Sequence, residues 1–160
     1  MTDSFVALVA SLDYPLFVVT VAAEGERSGC LIGFASQVSI HPARFLACLS
    51  KKNHTYEVAL RAGQLVVHVV EAGDRETAEL FGGETGDEVD KFSVASWRPG
   101  PGGTPVLDAC ERWFAGRVLE RVDFGDHVGF VLEPVAADVE STDDQLTFQD
   151  ARDIDPGHEP

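Results

Sequence analysis

No stretch of this chain approaches the roughly 20 consecutive apolar residues that span a bilayer, and Asp3 stands where a secretory leader carries positive charge. The chain therefore reads as a soluble cytoplasmic protein. Lysine is scarce, represented only by Lys51, Lys52 and Lys91. With 12 basic residues against 27 acidic, the formal net charge is -15, and such a field repels phosphate backbones and anionic headgroups. Nucleic acid and membrane surfaces are poor partners for it. Cysteine is also scarce: Cys30, Cys48 and Cys110 are odd in number, far apart and flanked by apolar residues. Without a C-x-x-C spacing they read as plain buried thiols rather than a disulfide, zinc or dithiol motif. Missing too are G-x-G-x-x-G, G-x-x-x-x-G-K-[ST] and G-x-S-x-G, which argues against a standard dinucleotide cradle, a P-loop and a hydrolase elbow. No pair of histidines has metal-ligand spacing with a carboxylate in support, so no metal is expected.

What is present is an ordinary globular composition, 44% hydrophobic and 24% charged over 160 residues, long enough for one domain with a real core. We expect that domain over residues 1–140. Residues 141–160 carry Asp143, Asp144, Asp150, Asp153, Asp155 and Glu159 against Arg152 alone, and read as an acidic tail, mobile or packed on a partner.

Thr2 and Asp3 can cap a first helix whose Phe5, Val6, Leu8, Val9 and Leu12 would turn one apolar face inward. The valine-rich run 16–23 reads as a strand, Glu24-Gly25-Glu26 as a turn, and 28–39 as its hairpin partner. Gly29 and Gly33 in that partner mark a bend or a place where something approaches the backbone closely. A short buried strand is expected over 45–49, a helix over 55–62 closed by Gly63, a strand over 65–70 and a helix capped by Asp74. Residues 84–104 look like a long loop, and 112–124 and 128–139 like a hairpin turning at Gly125-Asp126-His127. Strands adjoin strands in both halves, so the fold class is mainly β: an antiparallel barrel with peripheral helices.

Three places could carry chemistry. Lys51 and Lys52, near Arg44 and just before a helix start, form a positive island that Ser50, Asn53 and Thr55 supplement with neutral donors, as a phosphomonoester site requires. The same residues equally fit a capped helix behind a solvated turn. In Gly33-Phe34-Ala35-Ser36-Gln37, small side chains would let a planar ring reach main-chain donors and acceptors, or they mark a bulged strand facing water. His127, on its hairpin turn, could serve a ligand, or be an inconsequential surface histidine.

Taken in order, these segments resemble the flavin reductase-like family of FMN-binding split barrels. The resemblance runs from about Leu16 to about Glu140. It rests on Gly29 through Pro42, with Ser36-Gln37-Val38-Ser39 ahead of the proline, and on Cys48-Leu49-Ser50-Lys51-Lys52-Asn53-His54-Thr55. Gly63 through Val69, Asp90-Lys91-Phe92 and Gly125-Asp126-His127 complete it. It implies an antiparallel split β-barrel that binds FMN and takes hydride from NAD(P)H. Phe34, Ala35, Ser36 and Gln37 would line the isoalloxazine, while Ser50, Lys51, Asn53, His54 and Thr55 would surround the phosphate. Lys91 and Phe92 would lie near the cofactor's edge, and His127 near the nicotinamide as a positioning group. Where family members commonly carry Ser, Thr or Asn, this chain has Leu31, Gly33 and Phe34, so ring contacts would come mainly from the backbone. The resemblance also implies a homodimer, and it extends to the flavin-supplying half of a two-component monooxygenase with an oxygenase partner. Other readings stay open: a reductase using another donor such as a deazaflavin, a non-catalytic FMN storage or sensor protein, and a haem-binding split barrel.

Overall fold

The computed structural model describes residues 2–83 and 90–154. Helix α1 (Asp3–Ala10) precedes β1 (Phe17–Ala23), β2 (Glu26–Ile32), β3 (Ala35–Ser39) and β4 (Arg44–Ser50). Helix α2 (His54–Ala59), β5 (Gln64–Val69), α3 (Arg75–Gly82) and α4 (Lys91–Val94) follow. Then come β6 (Trp97–Pro99), β7 (Pro105–Leu107), β8 (Arg112–Asp123), β9 (His127–Val139) and α5 (Phe148–Ala151). Seven strands form one sheet in the order β2-β1-β5-β8-β9-β4-β3, every pairing antiparallel.

The two outermost positions of that sheet, β2 and β3, are consecutive in the chain. The expected strand over 28–39 is therefore two strands, parted at Gly33-Phe34, and the Phe34 carbonyl accepts from Cys48 N–H of β4 at 2.9 Å. This crossing curls the sheet into a barrel. Val19 and Val21 of β1, Leu49 of β4, Leu65 and Val67 of β5 and Phe130 and Leu132 of β9 fill its interior. Each such side chain contributes about 1.5–3 kcal/mol by leaving water. The alternate β1 residue Val18 faces a second core with Leu16, Val70, Ala78, Phe81, Leu107 and Leu146, under α3, α4 and the C-terminal segment. Burial on both faces explains why β1 reads as a continuous apolar run rather than an alternation.

His68 of β5 is fully buried between the layers. Its Nδ1 meets the Val18 carbonyl at 2.9 Å, and its Nε2 accepts the Leu107 N–H at 3.0 Å, which makes it the neutral, Nδ1-protonated tautomer. Burial pulls its pKa down from 6.5 to about 4.

Three expectations need correction. The apolar face of α1 is not buried: Phe5, Val6, Leu8, Val9 and Leu12 are all exposed, because periodicity defines a face without supplying its partner. The stretch 84–104 is not simply a loop. Residues 84–89 lie outside the described part, but Asp90 caps α4, and Gly102 and Gly103, both at positive φ, turn β6 into β7. Nor are residues 141–154 of the tail draped elsewhere. Leu146 is buried in the second core, its N–H bonds to the Val70 carbonyl and its carbonyl accepts from Leu16 N–H. The few apolar residues there, spaced among acids, are enough to dock the segment on its own domain. Residues 155–160 lie outside the described part.

Candidate active site

The break between β2 and β3 opens a cleft of about 290 Å³. On one side it is bounded by Cys30, Leu31, Ile32 and Phe34, and at one end by Ser50, Asn53 and His127. Tyr14, Phe81, Phe148 and Ile154 also line it. Among the described residues its lining includes no Asp, Glu, Lys or Arg, although the protein as a whole is strongly acidic. A second groove of about 270 Å³ runs along the other end of β2, lined by Glu26, Arg27, Ser28, His54, Asp90, Lys91 and Phe92.

Strand register explains the polar end of the cleft. Ser50 closes β4 directly opposite His127, which opens β9. The turn after Ser50 is tied down by Lys51 N–H to the Asp126 carbonyl at 2.9 Å and by Asn53 N–H to the Ser50 carbonyl at 3.0 Å. Asn53 then caps α2, its side chain accepting from Thr55 N–H at 2.9 Å. His127 Nδ1 lies 2.7 Å from Asp126 Oδ1, and this bond holds the Asp126 carboxyl below its usual range. The His127 ring tilts against Phe34, centroids 4.9 Å apart.

Of the twelve residues expected at the site, Phe34, Ser50, Asn53 and His127 meet in the larger cleft, and His54, Lys91 and Phe92 meet in the second groove. The others line neither. Ser36 and Gln37 bond to the carbonyls of Gln37 and Ser39 on exposed β3, and Ala35 packs toward the barrel. Thr55 is fully buried, its hydroxyl 2.8 Å from that of Ser28. Lys51 is turned onto Asp123 at 2.8 Å, which raises the lysine pKa and lowers the carboxyl's. Arg44 lies 3.5 Å from Glu133, so the positive island is partly neutralised within the chain. His54 is held by Glu26 at 2.7 Å and Glu57 at 3.3 Å. The buried Lys91 ammonium donates to the carbonyls of Gly29 and Phe81.

The cysteines are free and buried as expected, and burial raises the Cys30 thiol to about 11 and that of Cys110 to about 12. Cys30 and Cys48 nevertheless border the cleft. Tyr14, Phe81, Phe148 and Ile154 were not singled out by sequence, because each reaches the site through long-range packing. One signal pointed their way. Gly33 reads as a point of close approach, and the approaching group is the Tyr14 ring, 2.5 Å from where a Cβ would stand.

A family model described as a flavin reductase like domain matches residues 9–155, nearly the whole chain. The chain belongs to the flavin reductase-like family. The resemblance and the mainly β antiparallel barrel expected from it both hold. Among its relatives is a ferric-chelate reductase (NAD(P)H) of Archaeoglobus fulgidus, 28% identical over 93% of this chain and 89% of that protein. A probable flavin reductase of Rhizobium meliloti is 29% identical over 69% of this chain, which spans only 36% of that longer protein. In structure the chain is similar to an FMN-binding protein from Thermus thermophilus solved with bound 1-cyclohex-2-enone. That likeness has a TM-score of 0.76 at 28% identity, over 81% of this chain and 72% of the other.

Proposed function

We propose that the chain is an FMN-dependent oxidoreductase that passes hydride from NAD(P)H to flavin, with the flavin ring in the larger cleft. The observation that carries this reading is the cleft itself: among the described residues its lining is mainly apolar, with no Asp, Glu, Lys or Arg, and Ser50, Asn53 and His127 stand together in it. Such a groove suits a flat ring with a phosphomonoester attached, and family membership supports FMN as that ligand. Bound FMN supplies the two-electron chemistry, accepting hydride from a nicotinamide. The protein's share is to hold, orient and exclude water.

In this reading Leu31, Ile32 and Phe81 keep the ring site dry. Ser50 Oγ accepts from Lys52 N–H at 3.3 Å, which leaves its own proton to donate toward a phosphate. Asn53 fixes the turn, and the buried Thr55–Ser28 pair braces the first turn of α2. Lys51 must leave Asp123 to meet an anion, whereas Lys52 is exposed already. His54, Lys91 and Phe92 border the neighbouring groove and so the cofactor's outer edge. Ala35, Ser36 and Gln37 act only by setting the position of Phe34. His127, held by Asp126, orients the reacting rings.

The test is the absorption spectrum of the protein with FMN, followed anaerobically by NADH and then NADPH. Bleaching of the ~450 nm flavin band by either nucleotide is expected. Tight binding without bleaching would favour a flavin carrier or another donor such as a deazaflavin, and no binding would end the reading. For His127→Ala we expect the reduction rate to fall about tenfold, the worth of one well-placed hydrogen bond, with FMN affinity nearly unchanged. Stopped-flow reduction beside a binding titration checks this; a wild-type rate would remove His127 from the mechanism.

The same reading includes a homodimer. Val38 of β3, Ile40 just beyond it, Leu119 of β8, Val135 of β9 and the apolar face of α1 are exposed, and such side chains give a second copy of the chain a surface to pack on. Ile40 is 69% exposed, so Ile40→Asp should leave the fold intact while converting dimer to monomer in sedimentation. A wild-type protein that sediments as a monomer would withdraw the dimer.

A further inference from the structure

Part of the lining of the larger cleft comes from two distant parts of the chain. Tyr14 and Leu16 precede β1, whereas Phe148, Ala151 and Ile154 belong to the C-terminal segment. The rings of Tyr14 and Phe148 are stacked, centroids 4.8 Å apart and 12° from parallel. The Tyr14 ring also lies close against Gly33, the residue at the β2–β3 break. Phe34 follows at 6.4 Å from Tyr14, and His127 at 4.9 Å from Phe34. A succession of aromatic rings thus runs from the C-terminal segment to the polar end of the cleft.

Phe148 is held where it is by the main chain. Its N–H donates to the Tyr14 carbonyl at 2.8 Å, and the next N–H, of Gln149, donates to Asp13 at 3.0 Å. The Gln149 amide reaches the carbonyls of Ala10 and Leu12, and Thr147 and Asp150 form a capping box around it in sequence. This is much fixing for a half-buried side chain outside the barrel core. The cleft, at about 290 Å³, lies at the small end of ligand sites, so whatever flat group enters it must lie close to this wall.

We propose that Phe148 is a ring-binding residue: with Tyr14 behind it, it stacks on the flat ring of the flavin and limits the thickness of ligand the cleft admits. The inference rests on the flavin reading above. It differs from phosphate recognition, because a stacking residue acts on the ring and is indifferent to what the ring carries.

The experiment titrates the full chain and its Phe148→Ala and Phe148→Leu variants with FMN and, separately, with riboflavin, which has the ring but no phosphate. Phe148→Ala should weaken both ligands by the same factor, about tenfold, the size of one lost aromatic stack. Phe148→Leu keeps most of the bulk and should lie between, which separates loss of the stack from any loss of folding in the alanine variant; thermal melts of both variants accompany the titrations. Unchanged affinity in Phe148→Ala, or a loss confined to FMN, overturns the proposal. A wild-type chain that binds neither flavin overturns the flavin reading and this one with it, whereas binding that ignores Phe148 overturns this one alone.

Discussion

His68→Ala is expected to cost about 3–5 kcal/mol, one of the largest effects of any single substitution in this chain. The change strands two buried main-chain groups, the Leu107 N–H and the Val18 carbonyl, at about 1–3 kcal/mol each, and leaves a cavity between the two cores. His68→Gln restores an acceptor and a donor and should recover part of the loss. The histidine also makes stability depend on pH in a defined direction. Its folded pKa, about 4, lies below the value of 6.5 it has when unfolded, so the unfolded chain binds more protons between those values. Stability is therefore full above pH 6.5, declines as the pH falls toward 4, and the His68 contribution then levels off. The span is about 3 kcal/mol by the usual 1.36 kcal/mol per pH unit. Urea titrations from pH 7.5 to 4.5 check this: the wild-type slope should flatten in both variants, and a slope unchanged in His68→Gln would assign it to other groups.

Leu146→Ala should cost about 2–4 kcal/mol, and its consequences should be local as well as global. Leu146 is the largest buried side chain of residues 141–154. Ala151 is buried and Phe148 and Ile154 pack on the same core, but they are smaller or less deeply buried, and ion pairs such as Arg75 to Asp153 at 2.8 Å are exposed and worth little. With the anchor shortened, the segment should open independently of the barrel. Limited proteolysis is expected to cut near residues 142–144 before it cuts any barrel strand, and flavin affinity should fall with the loss of Phe148 from the cleft. A variant that unfolds only as a whole would show the segment to be part of the barrel's own cooperative unit.

How much of this was legible in the sequence depended on how far apart the interacting residues are. The valine run of β1, the Asn53 cap and the β8–β9 hairpin are local patterns, and the structure reproduces them. The family resemblance draws attention to the turn after Ser50 and to His127, and the strand register sets the two side by side. Long-range docking left weaker traces. Leu146, Phe148 and Ile154 sit in an acidic stretch whose composition suggests solvent, and no local pattern pairs Leu146 with Leu16. The face of α1 is apolar, as its periodicity predicts, but exposed, for the same reason. The positive island illustrates a third limit: counting charges finds Lys51 and Arg44 but not Asp123 and Glu133, which the sheet brings beside them.

The outer position of β3 in the sheet has a consequence for how concentrated protein behaves. An exposed edge strand carrying Val38, with Ile40 just beyond its end, is the kind of template on which chains stack into fibrils. Here the ladder shifts register between Gln37 and Ser39, and Pro42 follows shortly after. The irregular edge offers a stray strand no continuous row of hydrogen bonds, while the side chains beside it remain sticky. Self-association through this region should accordingly proceed face to face and stop at a closed, finite particle, rather than propagate along the edge into amyloid.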